Sequence, residues 1–151
     1  MSAKKYHIAQ VNIALMRAPL DDPLMEEFVA SLDEINALAD SSPGFVWRLQ
    51  SDQGNATDLR PYGDDRILFN LSVWESLEQL QAYVYKSAHG EVMQKRRQWF
   101  EKFEGMYFAL WWVEAGYIPS VMEAKQRLDH LNEQGASEWA FNFKSPFPSP
   151  D

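Results

Sequence analysis

Residues 66–79 read Arg66-Ile67-Leu68-Phe69-Asn70-Leu71-Ser72-Val73-Trp74-Glu75-Ser76-Leu77-Glu78-Gln79. Ile67, Phe69, Leu71 and Val73 alternate with Leu68, Asn70, Ser72 and Trp74, the two-residue period that sends successive side chains to opposite faces of a strand. One face is wholly apolar. The other mixes amide, hydroxyl and indole, so this strand divides a greasy side from a side able to hold chemistry. Ser76 and Gln79 then have capping-box spacing, in which the serine oxygen and the glutamine side chain satisfy amide hydrogens at a helix start. A helix running to about Lys86 is therefore predicted directly after the strand.

The same reading extends in both directions. Residues 6–15 alternate as a first strand, with His7, Ala9, Val11, Ile13 and Leu15 on one face and Ile8, Gln10, Asn12 and Ala14 on the other. Asp22 before Pro23 marks a helix start, and Leu24, Phe28, Leu32, Ile35 and Ala39 recur on one helical face until Ser41-Ser42-Pro43-Gly44 stops it. Residues 45–50 read as a second strand, and the polar stretch 51–65 as a long hairpin connection, the best candidate for a flap. After a break at 87–90, a second helical stretch is expected to run to Glu104 with Gly105 as its stop, followed by a strand over 106–114. Ser120 and Glu123 repeat the capping box, opening a helix with Ala124, Leu128 and Leu131 on its face and Gly135 beyond its end. A short last strand is expected over 138–143.

The order is βαββαβ with an extra C-terminal helix and short strand, the split βαβ arrangement of ferredoxin-like α+β domains. One sheet face packs on helices and the other needs a cover. A second copy of the sheet would supply it by closing a dimeric α+β barrel across a two-fold axis, so a homodimer is expected. Residues 1–143 form the domain. The Pro-rich tail 144–151 has no core pattern and is expected on the surface or on the partner.

Composition narrows the functions open to this fold. A chain of 151 residues matches one domain large enough for a core without staples. It has no cysteine, which excludes disulfides, thiolate metal sites and a thiol nucleophile. The formal charge of −8 repels phosphate backbones and anionic membranes, so nucleic acid is not an expected partner. No signal-peptide pattern opens the chain and no stretch reaches the roughly 18 apolar residues of a membrane span; a cytoplasmic address is expected. Aromatic residues make up 14% of the chain, and large flat rings serve either as core or as a surface for flat apolar ligands.

The candidate site follows from strand parity. Gln10, Asn12, Asn70, Ser72 and Trp74 lie on the mixed faces of the first and third strands, which are central neighbours in this fold, so these side chains should converge. In the following helical stretch Val92, Met93, Trp99, Phe100 and Phe103 form an apolar stripe with Arg96 in its middle and His89 one turn earlier. A guanidinium inside such a stripe must be paired or must reach water. Arg96 is thus either a structural ion pair or an oxyanion clamp, and His89 either a hydrogen-bonded cap or an acid/base group. Tyr83, Trp99, Phe100 and Trp112 are the rings placed to line a ligand pocket, or to fill the core. The three histidines lack metal-ligand spacing, and no glycine-rich phosphate loop or serine elbow occurs; no cofactor or metal is predicted.

The run Asn70-Leu71-Ser72-Val73-Trp74-Glu75-Ser76, then Tyr83-Val84-Tyr85-Lys86-Ser87-Ala88-His89, resembles the strand-to-helix signature of the dimeric α+β barrel superfamily, which includes the antibiotic-biosynthesis monooxygenases. With Arg96-Arg97-Gln98-Trp99-Phe100, Leu110-Trp111-Trp112-Val113, Pro119, Glu123-Ala124, Arg127-Leu128 and Ala140-Phe141, the chain resembles the bacterial family called domain of unknown function 3291 over nearly its whole length. The resemblance implies a barrel and a dimer, and no assigned reaction. The superfamily's cofactor-independent monooxygenases oxidise electron-rich aromatic molecules whose anion reduces oxygen directly. By that likeness Asn12 or Asn70 would orient the substrate, Trp74 stack on it, Arg96 steady an oxyanion and His89 move a proton. The alternative is a non-catalytic binding or structural dimer. A third reading, haem binding with His89 as the iron ligand, meets Tyr83 where the haem-degrading branch carries tryptophan, and a spacing from Trp74 to His89 shorter than in that branch.

Overall fold

The computed structural model describes residues 5–18, 22–49, 67–88, 96–101 and 108–149. Alternation makes the first strand, β1 (Tyr6–Met16), the centre of an antiparallel sheet. Along one edge it pairs with β3 (Ile67–Trp74), from Ile8↔Trp74 to Leu15↔Ile67. Along the other it pairs with β5 (Phe108–Glu114), from Tyr6↔Glu114 to Asn12↔Phe108. The short strand β2 (Phe45–Arg48) lies outside β3, with a bulge between Phe45 and Trp47. This is the order and direction expected of a split βαβ sheet.

Parity sorts the sheet's two faces. Ala9, Val11, Ile13, Phe69, Leu71, Val73, Ala109, Trp111 and Val113 form an odd-numbered face. It packs against Ala124, Leu128 and Leu131 of the last helix, here α4 (Val121–Gln134), capped by Ser120 Oγ, which accepts from Glu123 N at 3.0 Å. The chain's own α4 thus packs on this face, over β5 and β1. The even-numbered face meets the other helices in two separate clusters. Ile8, Trp74 and Leu110 pack with α2 (Leu77–Ala88) through Leu77, Leu80, Tyr83 and Val84. Met16 and Leu68 pack with α1 (Glu26–Asp40) through Phe28, Leu32 and Ile35.

Local chemistry sets the element ends. Asp22 accepts from Leu24 N at 2.9 Å and opens a single 3₁₀ turn, Pro23–Met25, that runs into α1. Gly44, with φ +86, lets the chain leave α1 and pass under the start of α2, where its carbonyl accepts from Glu75 N at 2.7 Å. Ser76 Oγ accepts from Gln79 N at 3.2 Å, as the spacing predicts. The second capping box closes only by half, because the Glu123 carboxylate turns to Trp111 and Tyr117 instead of its own cap.

The expected helix to Glu104 needs correction. Among the described residues of this stretch, Arg96–Trp99 are helical (α3), and Phe100–Glu101 leave the helix as a short strand, β4, paired with β1 at Met16 and Leu15. Past the pair Asn12↔Phe108, backbone groups on this edge of β1 are met by β4 and by the Trp99 carbonyl, which accepts from Arg17 N at 2.7 Å. The last strand is reduced to two isolated bridges, Leu110↔Phe141 and Ser137↔Ala140. The flap 51–65 lies outside the described residues.

Candidate ligand site

Three rungs cross the even face of the sheet. The first holds Trp74, Ile8 and Trp112, the second Ser72, Gln10 and Leu110, and the third Asn70, Asn12 and Phe108. The five polar or indole residues expected together on β1 and β3 do converge, through a continuous chain of hydrogen bonds. Asn70 Nδ2 donates to Asn12 Oδ1 at 3.3 Å, Asn12 Nδ2 to Gln10 Oε1 at 2.9 Å, and Gln10 Nε2 to Ser72 Oγ at 2.6 Å. Trp74 Nε1 closes the far end, donating to the same Ser72 Oγ at 2.9 Å. Gln10 and Ser72 are only 7% and 8% exposed, and burying such groups is tolerable only because each is paired.

The chain has a direction. Ser72 Oγ accepts twice, which fixes which end of the Gln10 amide points to it; Gln10 then presents its oxygen to Asn12, and Asn12 its oxygen to Asn70. A buried anchor thus orients the open end, where Asn12 is half-buried and Asn70 exposed. That opening lies between two closed apolar zones. Toward the first rung are Trp74, Ile8 and Leu110; toward the other end are Leu68, Met16, Phe28 and Trp99.

Trp74 serves as floor. It is 1% exposed, stacks on Tyr83 with ring centroids 4.8 Å apart at 26°, and meets Phe45 edge-on at 5.5 Å. In this arrangement its ring faces protein on both sides. Burial chiefly raises the Tyr83 phenol above its ordinary range, with the Arg48 charge opposing and Asp40 adding to the rise. Arg48 itself is held by Asp40, Nε to Oδ1 at 2.7 Å. Trp99 and Phe100 both pack on Phe28, at 5.6 and 5.1 Å between centroids. Trp112 lies two rungs from the open amides, its Nε1 donating to Phe147 O at 2.9 Å. The tail is therefore not all surface, since Phe147 also reaches Phe141 at 5.7 Å.

Arg96 enters at the first position of α3. His89 lies outside the described residues, and with it the haem reading. Among the described residues no group of three or more His, Cys, Asp or Glu side chains could hold a metal ion. No helix described is long and apolar enough to cross a membrane. Among the described residues, two surface hollows lie away from the amides. One of about 490 Å³ lies beside Leu24, Glu27 and Trp99; the other, about 270 Å³, lies beside Tyr117, Glu123 and Arg127.

A second polar cluster escaped the sequence reading. Glu123 accepts from Trp111 Nε1 at 3.1 Å and from the Tyr117 hydroxyl. Arg127, one turn on, stacks 3.9 Å from the Trp139 ring centroid and donates through Nη1 to Trp139 O at 2.7 Å. Burial lowers the Arg127 pKa, and its Nε is buried without a hydrogen-bond partner among the described residues. These contacts latch α4 to β5 and to the segment after it. The i, i+4 spacing of Glu123 and Arg127 was the available signal.

Sheet order and helix placement define a ferredoxin-like α+β fold of the kind seen in the antibiotic-biosynthesis monooxygenases. SnoaB, a cofactor-independent oxygenase from Streptomyces nogalater, superposes with a TM-score of 0.50 at 16% identity, over 78% of this chain and 100% of that one. An antibiotic biosynthesis monooxygenase candidate from Nitrosomonas europaea gives 0.47 at 12% identity over 78% and 96% of the two chains. At such identities the likeness shows the fold alone. A comparison with curated proteins finds no match in sequence. The family described as Domain of unknown function (DUF3291) matches residues 7–151, and the chain belongs to that family.

Proposed function

We propose that the protein binds a small aromatic or largely apolar molecule over Asn12 and Asn70, and that it acts on this molecule as a cofactor-independent monooxygenase-like enzyme. The observation that carries the reading is the one-way hydrogen-bond chain from Trp74 and Ser72 to the open amides, set between two apolar clusters. An oriented amide in a largely apolar setting recognises one polar substituent on an otherwise greasy ligand. It also stabilises charge that develops on a ligand oxygen. SnoaB, which shares the fold, is a cofactor-independent oxygenase, and that supports the chemical half of the reading. In this reading Arg96 steadies the developing oxyanion and His89 moves the proton. Tyr83 and Trp74 brace the floor, and Trp99 and Phe100 bound the apolar side. A homodimer of the dimeric α+β barrel kind belongs to the proposal.

A non-catalytic binding protein is the second reading, favoured by the fact that the indole N–H of Trp74 is already taken up by Ser72 Oγ. Oxygen uptake separates the two. Wild type is offered a panel of hydroxynaphthalenes in an oxygen electrode, with no flavin or metal added, beside Asn70→Ala and Arg96→Ala. Uptake that fails in both variants supports the enzyme. Saturable binding without uptake leaves the binding protein, and absence of binding overturns the site.

A further inference from the structure

We infer that Phe108 and Phe143 form an aromatic wall of the ligand site, so that the C-terminal segment 137–149 contributes a specificity-determining residue to it. The inference rests on the reading of an aromatic ligand at Asn12 and Asn70.

Register places Phe108 directly across from Asn12, on the same face of the sheet. Such cross-strand neighbours have Cβ atoms roughly 4.5–5.5 Å apart, within reach of one ligand ring. Phe143 lies over Phe108, with centroids 5.2 Å apart and 31° between planes. Both rings are half-buried, whereas Phe141, two residues before Phe143, is fully buried. A ring meant only to fill the core would be expected to close like Phe141; these two keep part of their surface free.

The segment is fixed at both ends of Phe143. Before it, Leu110 and Phe141 exchange backbone hydrogen bonds at 2.7 and 2.9 Å. After it, the Asn142 side chain accepts from Lys144 N and Ser145 N at 3.0 and 3.1 Å, turning the chain back. Phe147 then anchors it through its carbonyl on Trp112 Nε1 at 2.9 Å. Phe143 is thus held in place rather than left on a free tail. Further along the same face, Leu68 and Trp99 pack with Met16 and Phe28 in a second apolar cluster. The arrangement fits a planar aromatic molecule that lies between the wall and this cluster with an oxygen substituent on the amides.

The test uses 2-naphthol binding to the full chain by calorimetry, with thermal melts as a check on folding. Phe143→Leu and Phe108→Leu keep apolar volume and remove the ring; each is expected to weaken binding roughly three- to tenfold, the range for a lost aromatic pair. Phe143→Tyr, which keeps the ring, is expected to bind as wild type does. Asn70→Ala tests the underlying site separately. Weakening by Asn70→Ala with both leucine variants unchanged overturns the wall and keeps the site. A wild-type protein that does not bind 2-naphthol overturns both. Weakening in both leucine variants and rescue by tyrosine supports the wall.

Discussion

Replacing Ser72 by alanine removes the acceptor on which two buried donors converge, Gln10 Nε2 at 2.6 Å and Trp74 Nε1 at 2.9 Å. A buried donor left without a partner costs about 1–3 kcal/mol. Trp74 is pinned by its stack on Tyr83 and by Phe45, so its indole has little freedom to find another acceptor. Gln10 retains one bond, from Asn12, and sits nearer the opening, so its loss falls toward the low end. The expected sum is about 2–4 kcal/mol. With a urea m-value of about 2 kcal/mol/M, the midpoint followed by circular dichroism should fall by about 1–2 M with the slope unchanged. Adding Gln10→Leu to Ser72→Ala removes one of the two stranded donors and should return roughly 1–2 kcal/mol. A Ser72→Ala protein within about 0.5 kcal/mol of wild type, or a double variant no better than the sum of the singles, would refute the anchoring role.

Gly44→Ala should destabilise the fold by about 1–3 kcal/mol, because a side chain at a left-handed backbone position is strained and because the added Cβ would lie 2.6 Å from Gln79 Cβ. The check is a thermal melt, and since Cβ itself is the obstacle, shortening Gln79 to alanine should not rescue it. Tyr83 should ionise above its ordinary value of 10.0, seen as a late phase in the phenolate absorbance titration that Tyr83→Phe removes. The folded form holds this proton more tightly than the unfolded chain, so the associated stability is complete below pH 10 and is lost as pH climbs through the raised folded value. The stability of Tyr83→Phe should accordingly fall less than that of wild type across that alkaline interval.

The sheet was legible because its signal is local: a period of two in residues 6–15 and 66–74 sorts buried from mixed faces before any partner strand is known. Residues 96–101 were not, because Trp99 and Phe100 satisfy a helical stripe and a strand equally well. What decides between them is the stretch of β1 around Leu15 and Met16, more than eighty residues earlier in the chain, which needs backbone partners there. The position of α4 was hidden for a similar reason. Its apolar stripe shows that it covers something, but the face it covers depends on the turn after β5, where Ala115 N bonds to Lys5 O and Tyr117 N to Glu114 O, both at 2.9 Å.

The site was half legible, and the missing half has a physical cause. Parity alone brings Asn12 and Asn70 onto one face, and strand order makes them neighbours. It does not say what an indole will do. Trp74 brings a donor that must find an acceptor once buried, and the residue two positions earlier on the same face is Ser72. That bond, with the stack on Tyr83, holds Trp74 in the floor. The place beside the amides then falls to whichever ring shares their rung. Counting the antiparallel register back from Glu114 opposite Tyr6 puts Phe108 opposite Asn12, so which ring shares the amides' rung is set by the pairing of β5 with β1 rather than by the strand that carries the tryptophan.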